Sequence, residues 1–117
     1  MAVEWTSATL VKQRLKGVAD LWPDESEIDS IIESIESSVC AMVRSDLLTD
    51  ITYNLAKHGI LGEYVTSTVA AIVIGENPSN YSSSSDAQTA ADINWASANR
   101  ILKQLMKQET ITYLKGL

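Results

Sequence analysis

Phenylalanine is absent from this sequence, and cysteine, histidine and proline are scarce, with one, one and two copies in 117 residues. A single cysteine, Cys40, excludes an intramolecular disulfide and a multi-cysteine metal site, and is compatible with a reducing compartment. Its place between Val39 and Ala41 reads as that of a small buried hydrophobe rather than a nucleophile. The lone His58, in Ala-Lys-His-Gly-Ile, reads as a helix-end histidine favoured by the helix dipole. Catalysis there would need a pocket that brings it to Tyr53 or Tyr64 and a carboxylate, and no spacing predicts one. The five glycines, at 17, 59, 62, 75 and 116, are scattered and form no phosphate cradle, and no HExxH or EF-hand pattern is present. The sequence therefore points to no catalytic residue, no cofactor and no metal ligand, and the expectation is that the chain is not an enzyme.

Cations are also in short supply. Nine Lys and Arg stand against fifteen Asp and Glu, a net charge of -6, which argues against general affinity for nucleic acid because duplex binders gain affinity by neutralising phosphates. Arg100, Lys103 and Lys107 lie close together, and such a run on a helix reads as a solvated face. Long apolar runs are missing as well. The most apolar window, residues 65–74, is about ten residues long and holds Thr66, Ser67 and Thr68, whereas a spanning helix needs about twenty. The opening Met-Ala-Val-Glu-Trp-Thr-Ser has neither the basic region nor the apolar core of a signal peptide. A soluble protein with no membrane contact is expected.

What is present is helical patterning. The length suits one domain, here residues 1–117, and the 45% apolar content suffices for a core without staples. Thr6 and Ser7 fit the cap of a short helix over residues 8–16, with Leu10, Val11 and Leu15 inward and Gly17 at its end. Leu21 and Trp22 read as an apolar plug before Pro23. Asp24, three residues before Glu27, has capping-box spacing. Ile28, Ile31, Ile32, Ile35, Val39, Met42 and Val43 then form one stripe of a helix of about twenty residues, opposite Asp29, Glu33, Ser34, Glu36 and Ser37. The carboxylates at its start, and Arg44 at its end, suit the helix dipole, so capping accounts for Asp24, Glu25, Glu27 and Asp29 better than a calcium loop does.

Residues 47–57 read as a helix or as a turn and a short helix, and His58-Gly59 with Gly62 as a break. Residues 63–74 fit a helix by length and a buried strand by their β-branching, so both remain open. Residues 75–85 have the composition of a flexible loop. Ser85 or Asp86 is placed to cap a long helix to about residue 107, with a seam of Ala91, Trp95, Ala98, Leu102 and Leu105. Residues 108–117 alternate like a short strand or extended arm, which would seek a partner edge. The predicted fold is mostly α: a small bundle of about four helices with a short extended C-terminal segment. Trp5 reads either as packing on its own domain or as an anchor for another molecule.

The segment Leu10-Val-Lys-Gln-Arg-Leu15, the acidic turn Trp-Pro-Asp-Glu-Ser-Glu at 22–27 and Ile28-Asp-Ser-Ile-Ile-Glu-Ser-Ile35 together resemble the small helical head–tail connector (adaptor) proteins of tailed bacteriophages and related viruses. The resemblance covers about residues 6–45, with Ile35 standing where a small residue is common. It implies a virion protein at the head–tail interface, made in the host cytoplasm and assembling into a homo-oligomeric ring, usually twelvefold. Portal and tail or neck proteins would be its partners, and DNA would pass through without specific binding. Because such proteins use loops and extended termini for contacts, the candidate protein-interaction residues are Trp5, Tyr81, Ile111, Tyr113 and Leu114. The alternative is a small helical regulatory module that captures a partner helix, marked by an exposed apolar groove and an ordered C-terminus.

Overall fold

The computed structural model describes residues 5–15, 22–44, 46–77 and 83–116. Gly17, Leu21 and Tyr81, read as a helix end, part of an apolar plug and a contact candidate, lie outside them, as do residues 78–82 of the expected loop. Among the described residues there are six helices and no strand: α1 (Ala8–Lys12), α2 (Glu25–Val43), α3 (Leu47–Asp50), α4 (Leu55–Glu76), α5 (Ser84–Leu105) and α6 (Gln108–Lys115). The mostly α expectation holds, with six helices in place of about four.

The N-terminal helices start as capping chemistry requires. Ser7 accepts from the Leu10 N–H at 3.2 Å, and Asp24 Oδ1 accepts from the Glu27 N–H at 3.0 Å. In α1, Ala8 and Val11 share the buried side and Leu15 is buried just beyond its end, while Leu10 points outward, contrary to its expected inward place. In α2, Ile28, Ile32 and Val39 are fully buried, and Ile31, Ile35, Met42 and Val43 pack at the core's edge. Glu36 departs from expectation. It lies four residues after Ile32 and three before Val39, so it belongs to the buried stripe; it is 1% exposed, and its Oε2 accepts the Trp5 backbone N–H at 2.7 Å.

The central element is α4. It runs through His58, Gly59 and Gly62, where a break was expected, and settles residues 63–74 as helix. Burial overrides the weak helix propensity of its Val, Ile and Thr residues, because nearly every residue from Leu61 to Ile74 is buried whichever way it points. By length and composition alone this helix suffices to cross a membrane, but in this fold 72% of its apolar window is buried by the protein itself. Gly62 has a local reason to lack a side chain. A Cβ there would lie 2.5 Å from both the Trp5 carbonyl oxygen and the Tyr53 hydroxyl.

Helix α4 begins with a reciprocal cap. The Asn54 side chain accepts from the Ala56 N–H at 2.9 Å, and the Asn54 N–H donates to His58 Nδ1 at 2.9 Å. At its far end Gly75 and Glu76 are still helical, and α5 opens on its cap Ser83, two or three residues before the expected Ser85 or Asp86, so the expected loop over 75–85 is shorter at both ends. The α5 seam is shifted too. Ala87, Ala91, Asn94, Ala98, Ile101 and Leu105 are buried at alternating steps of four and three, while Trp95 is 39% exposed. Its alanines let α5 lie closely along α4.

Residues 108–115 are helical, which corrects the expected extended arm. An extended terminus would leave its ladder groups unpaired, since no strand edge exists among the described residues; as a helix it bonds internally and buries Ile111 and Leu114, three residues apart, on one side. Gly116, at φ +78°, supplies the left-handed cap that ends it.

Candidate interaction surface

A polar network lies where α1, α4 and α5 converge. Arg14 Nη1 donates to Glu63 Oε1 at 2.8 Å and to Ser67 Oγ at 2.9 Å, while Nη2 meets Oε2 at 2.5 Å. The Ser97 hydroxyl of α5 donates to the same Oε1 at 3.1 Å. The planar guanidinium fits the carboxylate with two parallel bonds, so the pair is both oriented and neutralised. The bond to Arg14 holds the Glu63 carboxyl below its ordinary range against the opposing effect of burial, and the Arg14 guanidinium is shifted up by the same contact.

Three hollows open around this pair. The largest, about 600 Å³, is a groove between the first half of α4 and the second half of α5, with Leu55, Ile60 and Ile101 as apolar lining and Lys57 and Arg100 as cations. A second of about 390 Å³ joins Arg14 to Ile93, and a third of about 150 Å³ lies between Leu10 and Leu55. Leu55 is 76% exposed, Ile93 66% and Leu10 47%, so three large apolar side chains face solvent around an internally satisfied ion pair. Such a cluster marks a contact surface more than a scattering of single exposed residues would.

Both α2 and α5 pack against α4. Arg100, Lys103 and Lys107 make no ion pair among the described residues. Lys57 instead lies 5.0 Å from the Tyr113 ring centroid, in cation–π geometry.

The sequence-derived contact candidates are not brought together. Trp5 is buried, 3% exposed, and packs on its own domain; Ile111 and Leu114 are buried under α6; only Tyr113 is exposed, and Tyr81 lies outside the described residues. His58 is buried, with Nδ1 accepting from Asn54 and Nε2 lying 2.8 Å from the Leu114 carbonyl oxygen, so both nitrogens serve the backbone and tie α6 to α4. That arrangement requires the neutral ring with its proton on Nε2. Tyr53 stands beside it with ring centroids 6.1 Å apart, its hydroxyl shifted upward by burial. Cys40 is half-buried at the core's edge. No group of three His, Cys, Asp or Glu able to hold a metal ion occurs among the described residues.

The sequence did not pick out the Arg14–Glu63 pair, although Glu63 and Ser67 are four residues apart on one helix and could be seen as neighbours. Nothing in the sequence marks Leu55, one apolar residue of the 47–57 segment, as exposed. Compared with known proteins, the chain matches no family model, no curated protein and no solved structure.

Proposed function

We propose that this chain is a structural assembly subunit, a head–tail connector protomer that forms a ring between the portal and the tail of a virus. The viral part of this reading rests on the resemblance over residues 6–45. What supports it in the fold is the order of a short helix α1, the acidic stretch at 22–27 and the long helix α2 with its isoleucine stripe. The observation that carries the assembly part is the cluster of Leu10, Leu55 and Ile93 exposed around the Arg14–Glu63 pair. In this reading the chain binds protein, performs no reaction, takes no cofactor, and lets DNA pass without holding it specifically.

A second reading, a regulatory module that captures a partner helix, is favoured by one observation. The C-terminus is already docked in the single chain through Ile111, Leu114 and the His58 contact, not held out as an arm awaiting assembly. Light scattering and electron microscopy of the purified full chain separate the two. Closed rings or a concentration-dependent oligomer are expected for the connector. A strict monomer with no affinity for portal or tail proteins overturns it in favour of the second reading.

A further inference from the structure

The charge of this chain is sorted along the sequence. No Lys or Arg occurs between residues 17 and 43, where Asp24, Glu25, Glu27, Asp29 and Glu33 crowd the first half of α2. No Asp or Glu occurs between residues 93 and 108, where Arg100 and Lys103 lie on α5 and Lys107 follows just beyond its end. Arg100 also lines the 600 Å³ groove together with Lys57, Leu55 and Ile101, the one carboxylate there, Glu63, being paired with Arg14. Glu25 and Glu27 are exposed, and the ion-pair partner of Glu25 among the described residues, Lys12, stands at a loose 3.9 Å. No ion pair joins Glu25 or Glu27 to Arg100 or Lys103 among the described residues of one molecule.

We infer that the α4–α5 groove is the seat for the acidic first half of α2 from a second copy of this chain. This rests on the assembly reading and names the two surfaces that meet. Glu25 and Glu27 of one copy face Arg100 and Lys103 of the next, while the leucine and isoleucine side chains of the groove are covered by the incoming helix. The two patches are different surfaces of the protomer, so the contact is head-to-tail. Repetition of such a contact closes a ring when the rotation between neighbours allows. Complementary charge fixes register and excludes the groove-to-groove and α2-to-α2 pairings, which set like charges together.

The test uses the full-length protein and two double variants: Arg100→Glu with Lys103→Glu, and Glu25→Lys with Glu27→Lys. All four side chains are exposed, and circular dichroism melts check that each variant folds as the wild type does. Sedimentation velocity over a concentration series should show each variant associating about tenfold more weakly than the wild type or worse. An equimolar mixture of the two should assemble again, since each altered surface then finds an opposite charge. Variants that assemble like the wild type overturn the pairing and leave the connector reading intact. So does a mixture that stays dissociated although each variant is defective. A wild type that remains monomeric throughout overturns both, and assigns the groove to a helix of some other protein.

Discussion

At the scale of single residues, two glycines three positions apart in the same helix should respond to alanine in opposite senses. Glycine costs a helix interior about 1 kcal/mol relative to alanine, so the substitution gains that amount wherever a methyl group fits. At Gly59 the added Cβ meets only the Leu55 Cδ1 at 3.8 Å, an ordinary contact, and Gly59→Ala should stabilise by about 0.5–1 kcal/mol. At Gly62 the same atom falls 2.5 Å from the Trp5 carbonyl oxygen. The Tyr53 hydroxyl can swing aside, but the Trp5 backbone is held by the buried indole and by the bond to Glu36. Overpacking of about 1–3 kcal/mol then outweighs the propensity gain, and Gly62→Ala should be net destabilising in urea denaturation. Thr68 offers the reverse case, a removable defect. Its Oγ1 is buried without a hydrogen-bond partner, whereas neighbouring Thr66 donates to the Gly62 carbonyl at 2.6 Å. Thr68→Val keeps the shape and removes the unsatisfied hydroxyl, so its melting temperature should rise, by an amount reflecting about 0.5–2 kcal/mol. An unchanged or lower melting temperature would mean that the hydroxyl is satisfied.

Among the elements, the contact between α1 and α4 carries a pH dependence. Glu63 titrates below its ordinary value near 4.5 in the folded chain, chiefly through its hydrogen bonds with Arg14. Its contribution is therefore complete above the unfolded value and is lost as the pH falls through the lower folded one, while Arg14 stays charged throughout. Glu63→Gln should be less stable than the wild type at about pH 7, and the gap should narrow at about pH 3, measured by urea midpoints. A gap that stays constant with pH would remove the ion pair from the account. This contact also shows what the sequence could reveal. The start and stripe of α2 were legible because capping, dipole and periodicity are local and agree. Glu63 with Arg14 was not, since a pairing across 49 positions leaves no local mark. Residues 63–74 left helix and strand open because the answer depends on how many neighbours bury them, and α4 is surrounded. The C-terminal residues misled for a sharper reason. Ile111 and Tyr113 alternate as a strand would, but Ile111, Leu114 and the left-handed Gly116 together spell a short helix and its stop. The α5 seam slipped because Trp95, being large and apolar, was assigned inward, whereas the small residues at 87, 91 and 98 mark the face that approaches α4.

For the whole molecule the question is which force governs association between copies that each carry a net charge of -6. The protomer measures 47 × 27 × 23 Å, so neighbours packed side by side stand about as far apart as its shorter dimensions. At about 0.01 M salt the screening length is roughly 30 Å, and the whole charge of one copy repels that of the next. Near 0.1 M it is roughly 10 Å, which removes that repulsion while leaving the close pairing of Glu25 and Glu27 with Arg100 and Lys103 largely in place. At about 1 M it is roughly 3 Å, and the close pairs are screened as well. Association of the wild type should accordingly be strongest near 0.1 M sodium chloride and weaker on either side, as read by sedimentation velocity at fixed protein concentration. An interface dominated by Leu10, Leu55 and Ile93 would lose only the repulsion, and would strengthen steadily toward high salt. The Arg100→Glu, Lys103→Glu variant has lost its local attraction and gained like charge, so any residual association in it should follow that steady course. A wild-type curve that rises without a maximum would place the contact on the apolar cluster and remove the charge pairing from it.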